Sequence, residues 1–316
     1  MTNIDFRISA QNEFERARRL AEFERLGAWL RGRDARLLPF DTIRRNLRQQ
    51  SPLYRGIHQV PLDRIIGSVG RYGEMTRAFL PLSDSLKERW VKVAELAQTE
   101  GWPPVELYKV GDAYFVRDGN HRVSAARQLK FPSIEAHVWE YPDDIVINSS
   151  DSLDEVLNRF RERAFLEKTG LQLHRPDYDI HFTASGRYQE LQAQIEELRQ
   201  KLELIDERAV SFEEAAEIWY EIIYLPAVQI IRESGLPESF PGRTEADLFA
   251  WMSLHRDYLS ERYGDFDNLP SLARALVETY REKPVARMSR QMRRLLGSNE
   301  LPPLAGLDER LEDEEE

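Results

Sequence analysis

The sequence contains no cysteine among its 316 residues. This absence excludes disulfide bonds, catalysis by a thiolate, and zinc sites built on cysteine. There is also no run of about 18 apolar residues, the length that a membrane-spanning helix requires. The first residues, 1–7, lack the apolar region of a secretion signal. We therefore expect a cytoplasmic protein without a membrane partner.

Acidic residues outnumber basic ones, since 55 Asp and Glu against 44 Lys and Arg give a formal net charge of −11. Nucleic acid is thus a candidate partner, although the negative net charge does not favour its binding. The charge is uneven, since residues 1–60 carry 12 Arg against 7 acidic residues. Residues 308–316 carry seven acids and one Arg. Such a charge run predicts a disordered, acidic tail, which we place at 298–316.

One stretch, residues 113–127, combines a predicted strand, a tight turn and the start of a helix. Aromatic and β-branched residues at 114–116 favour the strand, and Gly119 permits a sharp turn. The alanines that follow favour a helix. The free N–H groups at the start of this helix would face the turn, where they attract anions. His121 and Arg122 add hydrogen-bonding and cationic side chains at the same place.

The same residues have a purely structural interpretation. Asp118 or Asn120 can cap the helix, and His121 can be a turn histidine whose hydrogen bonds are satisfied. Arg122 can pair with a nearby acid. Four special residues within five positions nevertheless favour a phosphate site over plain capping.

The order Asp-Gly-Asn-His-Arg-Val-Ser-Ala-Ala-Arg, followed by a strand predicted at 134–139, resembles the signature of the ParB/sulfiredoxin-like superfamily. The resemblance covers about residues 57–141 and is more specific for the fold than for the chemistry. Members hold a nucleotide phosphate on this turn. They include CTP-binding chromosome-partitioning proteins, sulfiredoxins, small-molecule kinases and reported nucleases. Asn120 stands where the sulfiredoxin pattern has its reactive cysteine, so sulfiredoxin chemistry is excluded.

The resemblance implies a nucleoside triphosphate or diphosphate as the ligand, either ATP or CTP. It implies four residues that hold the phosphates: Gly119, Asn120, His121 and Arg122. The first predicted strand is 57–62, which Pro61 limits to an edge or an end of the sheet. A Gly-rich loop follows at 68–74, and in ParB-like proteins such a loop approaches the nucleotide. Arg71 in this loop is therefore a candidate second phosphate contact, although an ordinary surface arginine is an equal alternative.

The candidate catalytic residues are His121, Asp118 and Glu74. Asp118 is expected to orient Arg122 or to hold Mg²⁺ through water, which makes it the candidate metal ligand. His121 or Glu74 would serve as acid or base. Family kinases place a catalytic acid near the Gly-rich loop, but Glu74 does not fall cleanly on that position. This departure weakens the kinase interpretation.

The rest of the pattern predicts an α+β fold. Its predicted segments are a helical N-terminal extension at 1–55, a ParB/sulfiredoxin-like α/β domain at 56–147, a mostly helical C-terminal domain at 148–297 and the tail at 298–316. Strands at 105–110 and 113–117 flank a Gly-Asp turn and predict a hairpin. Residues 9–31 predict a helix whose apolar face contains Phe14, Ala17, Leu20 and Ala21, with Trp29 as a further candidate.

The C-terminal half carries three capping boxes, which begin at Ser152, Ser211 and Thr244. The box at Ser211 opens a predicted aromatic helix, 215–224, which we expect Pro226 to bend or end. Arg243 precedes the last of these helix starts and is a candidate second anion contact, with plain capping the stronger account. Residues 188–205 repeat apolar residues at heptad spacing. This seam predicts either a homodimer or packing within the chain, and we favour the latter slightly. The stretch around 219–251 resembles a bacterial domain family of unknown function.

These observations predict a nucleotide-binding protein of ParB/sulfiredoxin type, with hydrolysis of the nucleotide or transfer of a phosphoryl group as its candidate activities. Whether it is an enzyme at all is left open by the sequence. A DNA-binding or nuclease protein of ParB type is one alternative. A non-enzymatic interaction module, assembled through the heptad seam, is another. No helix-turn-helix stands out after the α/β domain. Chromosome-partitioning proteins usually have one there, so this argues against the chromosome-partitioning interpretation.

Overall fold

The structure is a computed structural model that describes residues 3–30, 34–48, 51–183 and 186–254. The predicted acidic tail, and residues 255–297 of the predicted helical domain, lie outside the described residues. The chain divides into two compact units, Met1–Leu157 and Asn158–Glu316. No helix within the described ranges is long and apolar enough to cross a membrane.

In its described residues the first unit combines helices with a six-stranded sheet, which confirms the predicted α+β class. The helices are α1 (Asn3–Leu30), α2 (Phe40–Arg44), α3 (Lys87–Thr99) and α4 (Asn120–Gln128). The strands are β1 (Leu38–Pro39), β2 (Leu53–Pro61), β3 (Ile65–Ser68), β4 (Val105–Val110), β5 (Ala113–Asp118) and β6 (Ser133–Tyr141). Their order in the sheet is β1-β3-β5-β4-β6-β2.

The predicted hairpin is present, with β4 and β5 antiparallel around a turn at Gly111. The strand predicted at 57–62 is β2, which lies at a sheet edge and ends at Pro61. This position suits proline, which cannot donate to a neighbouring strand. Strand β3 runs parallel to β5. The carboxyl ends of these two strands therefore meet at one edge of the sheet, where Ser68 and Asp118 lie.

A buried tryptophan fixes α4 against its neighbours. Trp90 of α3 is fully buried and donates from Nε1 to Ser124 Oγ at 2.8 Å. Ser124 in turn donates to the Phe79 carbonyl oxygen at 2.6 Å. Phe14 of α1 packs edge-on against Trp90, with ring centroids 5.7 Å apart. These contacts hold α1, α3 and α4 together and so set the position of the turn that precedes α4.

The predicted apolar face of helix α1 is confirmed only in part. Phe14, Ala17 and Ala21 are buried, as predicted. Leu20 and Trp29, however, are exposed. Trp29 falls outside the arc of the helix that faces the rest of the unit, so its assignment to the buried face was wrong.

The second unit is helical in its described part. Its helices are α5 (Leu153–Thr169, which begins in the first unit), α6 (Leu171–His174), α7 (Arg187–Asp206), α8 (Phe212–Trp219), α9 (Leu225–Glu233), α10 (Leu236–Ser239) and α11 (Glu245–Leu254). Two of the three predicted capping boxes are complete, since Glu155 and Asp247 each accept from the N–H of the cap residue. At Ser211 the cap itself is present, while the Glu214 carboxylate accepts from Arg208. Ser152, Ser211 and Thr244 each accept, through their side-chain oxygen, the backbone N–H three residues later.

The heptad seam packs within this unit. Tyr188, Leu191 and Ile195 are buried, and Leu198 and Leu202 pack against the same core. Helix α7 contacts α8 along this side. The arrangement matches the intramolecular alternative, while the homodimer through residues 188–205 stays a prediction.

Pro226 does not end the aromatic helix as expected. One π-helical turn, Tyr220–Tyr224, joins α8 to α9. Pro226 is the second residue of α9, and helical residues precede and follow it without a break. The ring of Tyr224 stacks on Trp219 at 5.4 Å inside the core.

Candidate functional site

The turn between β5 and α4 depends on Gly119. Its φ is +110°, in the left-handed region that side chains disfavour. A Cβ at this position would lie 2.7 Å from Val105 Cγ1 and 3.0 Å from Arg122 Nε. Both the backbone and the available space therefore require glycine. Among the described residues, no side chain caps the N-terminus of α4 at Gly119, which leaves the first N–H groups of the helix facing the turn.

Arg122 fastens the turn to the start of β4. Its guanidinium donates from Nη1 to the carbonyl oxygens of Pro103 and Pro104, at 2.8 and 3.0 Å. Nη2 pairs with the Asp118 carboxylate. The expectation that Asp118 orients Arg122 agrees with this pairing. In the structure Arg122 thus makes contacts that position the turn, and its direct contact with phosphate stays a prediction.

Asn120 connects α4 to the end of β3. Its Nδ2 donates to Ser68 Oγ at 2.9 Å, and Ser68 is fully buried. Asn120 Oδ1 is buried and has no hydrogen-bond partner within the described chain. Sequence reasoning missed Ser68 because a serine at the end of a short strand carries no signal of its own.

His121 is the most unusual group of the site. It is only 5% exposed, and neither ring nitrogen has a hydrogen-bond partner in the described part of the chain. Burial, reinforced by the positive charges of Arg89 and Arg71, lowers the pKa of His121 to about 4. Near pH 7 the imidazole is therefore neutral, with one donor and one acceptor nitrogen. Buried polar groups normally have hydrogen-bond partners, so the two ring nitrogens without partners make His121 the candidate ligand contact of this turn.

Two arginines lie close enough to His121 for their charges to lower its pKa. Arg71 belongs to the Gly-rich loop, where its backbone N–H donates to the Val69 carbonyl oxygen at 2.8 Å. Arg89 belongs to α3 and is exposed. The sequence indicated Arg71 but not Arg89, which reaches the site only because Trp90 anchors α3 on α4.

Glu74 lies beside Arg71, with Oε1 3.9 Å from the Arg71 guanidinium. Its second oxygen, Oε2, is buried without a hydrogen-bond partner among the described residues. The structure thus places one candidate acid next to one candidate phosphate contact. A role for Glu74 in catalysis stays a prediction.

The fit to Mg²⁺ rests on a single carboxylate. Within the described residues no group of three or more His, Cys, Asp or Glu side chains is arranged to hold a metal. Asp118 is exposed but already pairs with Arg122. A magnesium ion bound mainly by phosphate oxygens and water, with Asp118 in its outer surroundings, is compatible with this arrangement.

No protein-family model matches the chain. No curated protein matches it either. Among solved structures, the crystal structure of sulfiredoxin from Arabidopsis thaliana is 20% identical in sequence, with a TM-score of 0.20. The match covers 27% of this chain and 84% of the sulfiredoxin chain. A likeness of this size says nothing about activity.

Proposed function

We propose that the turn before α4 binds the phosphates of a nucleoside triphosphate or diphosphate, either ATP or CTP. The protein would then be a nucleotide-binding member of the ParB/sulfiredoxin-like superfamily. The observation that carries the proposal is the state of His121. A buried imidazole whose donor nitrogen has no acceptor, at a helix N-terminus and near two arginines, is explained by an anion that accepts from it.

The electrostatics favour an anion over other ligands. The start of α4 contributes the positive end of the helix dipole, Arg89 contributes a positive charge, and Arg71 contributes one that Glu74, 3.9 Å away, offsets in part. Asp118 is the nearest acid on the turn, but Arg122 neutralises it. Phosphate oxygens would accept hydrogen bonds from the free N–H groups of the first turn and from the imidazole.

Each residue of the predicted set then has a role. Gly119 lets the backbone approach the ligand, and Asn120 and His121 complete the contacts to phosphate. Arg71 and the additional Arg89 neutralise charge. Arg122 positions the turn and borders the phosphates, and Asp118 orients Arg122 or meets Mg²⁺ through water.

The chemistry that fits this arrangement is hydrolysis of the nucleotide or transfer of a phosphoryl group. Such reactions depend mostly on positioning and on neutralising charge, which the helix start and the arginines supply. Glu74 would act as the base that takes a proton from water or a hydroxyl group. His121, neutral near pH 7, would hold an oxygen by donating a hydrogen bond.

Calorimetry on the full chain tests this proposal. ATP, ADP, CTP and GTP are titrated with Mg²⁺ into the wild type and into the double variant Arg71→Ala/Arg89→Ala. Arg64→Ala is the matched control, because Arg64 is an exposed arginine paired with Asp112 at the other end of β3. We expect binding that the double variant loses and the control keeps.

Absence of binding by every nucleotide, with circular dichroism showing a folded chain, would overturn the proposal. Binding of DNA that weakens steeply with salt, without nucleotide binding, would instead support the DNA-binding alternative.

A further inference from the structure

Helix α1 carries a second apolar surface on the side opposite its buried face. Phe23 and Trp29 are 72% and 74% exposed, and Leu26 and Leu30 are 54% and 61% exposed. We call these four residues the α1 strip. Single exposed apolar residues are ordinary on protein surfaces, but a contiguous group of this size marks an interaction site.

The α1 strip borders a groove of about 590 Å³. Leu26 and Trp29 form one wall of the groove, and Leu82 lies in its lining. A surface that carries both protruding aromatic side chains and an adjacent groove can match its own copy. In a two-fold arrangement the same patch serves both partners, so each copy would insert its side chains into the groove of the other.

The charges around the groove are balanced. Its charged lining residues are Glu22, Arg25, Asp34 and Arg36. Glu22 accepts from Arg25 at 3.2 Å, and Asp34 pairs with Arg36 at 2.6 Å. Nucleic acid and anionic membranes require an excess of positive charge, which this lining lacks. A second copy brings the same balanced set of charges.

The area of the strip is close to what a dimer needs. Aromatic side chains offer about 150–250 Å² each, so the exposed parts of the four residues, summed over two copies, amount to roughly 1,000 Å². Specific interfaces bury about 1,200–2,000 Å², and the walls of the groove supply the remainder.

We propose that two copies of this chain associate through the α1 strip and its groove. The proposal replaces the heptad seam as the dimer surface. Most of the seam packs inside the helical unit, and at its end Leu204 and Ile205 are exposed. The proposed association through the α1 strip does not depend on nucleotide binding.

Sedimentation velocity on the full chain, over a series of concentrations, tests the proposal. We expect a reversible dimer in the wild type. Phe23→Glu and Trp29→Glu should each raise the dissociation constant by roughly 30-fold or more, as for a buried aromatic anchor. Leu204→Glu is the matched control, since Leu204 is 81% exposed and lies in the segment 188–205. It should leave the dissociation constant unchanged.

The absence of cysteine permits a second test. A single Leu26→Cys substitution should allow a short bismaleimide to link two chains, whereas Leu204→Cys should not. A wild type that stays monomeric at every concentration would overturn the proposal. So would a dimer that Leu204→Glu dissociates while Phe23→Glu and Trp29→Glu do not.

Discussion

Two helix starts in this chain look alike in sequence and differ in structure. Helix α4 follows Asp118-Gly119, and helix α11 follows Gly242-Arg243-Thr244, so both combine a glycine and an arginine at the start of a helix. At α11, Asp247 Oδ2 accepts from the Thr244 N–H at 3.0 Å. The Asp247 carboxylate also accepts from the N–H and the hydroxyl group of Thr183.

The start of α4 has no such internal acceptor. Asp118, the acid nearest in sequence, pairs with Arg122, and His121 keeps two unused nitrogens. The comparison teaches that a helix N-terminus is a good candidate anion site when the chain does not supply the anion itself. At α11 the buried carboxylate of Asp247 takes that place, so the capping interpretation of Arg243 and Thr244 is the better one.

The largest effect should come from removing the internal anion of α11. Asp247→Ala would leave the N–H groups of Thr183 and Thr244 without this acceptor. Hydrogen bonds to a charged group contribute about 1.5–3 kcal/mol each, so we expect a loss of roughly 3–5 kcal/mol in the free energy of unfolding. Urea denaturation followed by circular dichroism measures it. An unchanged midpoint would show that the start of α11 is not satisfied by Asp247.

The next effect concerns His121 and pH. The unfolded chain binds a proton on this histidine below its ordinary pKa of 6.5, whereas the folded chain does so only below about 4. The free energy of unfolding should therefore fall as the pH drops from 6.5 to 4, by up to about 3 kcal/mol. His121→Gln should flatten this part of the profile, measured by urea denaturation at several pH values. Equal slopes in both proteins would contradict the buried, neutral imidazole.

Gly119→Ala should destabilise the chain by about 2 kcal/mol, because a left-handed backbone disfavours a side chain and the new Cβ would meet Val105. Gly235→Ala is the control, since Gly235 also has a positive φ of 74° but no atom within 4 Å of an added Cβ. It should cost only the backbone part, about 1 kcal/mol. Similar losses in thermal or urea denaturation would remove the argument that space around Gly119 is restricted.

The smallest change compares two arginines in nucleotide binding. Arg71→Ala should weaken binding about tenfold, the effect of one charge-assisted contact. Arg243→Ala should leave the affinity unchanged, because Arg243 donates to Thr183 beside a helix start that Asp247 already satisfies. Equal weakening by both substitutions, in the same calorimetric titration, would erase the distinction between the two helix starts.

Local rules explain what could be predicted from the sequence. The hairpin around Gly111, the turn at Gly119 and the side-chain caps at Ser152, Ser211 and Thr244 each depend on residues within a few positions of one another. Their geometry is set by turn chemistry and capping, and all are present. Arg71 could be named as a candidate from the sequence because a Gly-rich loop follows a predicted strand.

Features that depend on tertiary packing could not be predicted in this way. Arg89 reaches His121 only through the packing of Trp90 on Ser124, 34 positions further along the chain. Trp29 was assigned to the buried face by spacing alone, but the neighbours of α1 cover a narrower arc. Pro226 suggested a helix end, yet a π-helical turn places it at the start of α9.

The most direct test of the central claim is the imidazole of His121, observed by NMR with ¹⁵N-labelled histidine. We predict that adding ATP or CTP with Mg²⁺ shifts the ring signals of His121 and raises its pKa above about 4, because a nearby anion favours the charged form. The signals of His58, an exposed histidine on β2, should stay in place. Ring signals and a pKa of His121 that do not change at saturating nucleotide would contradict a phosphate site at this turn.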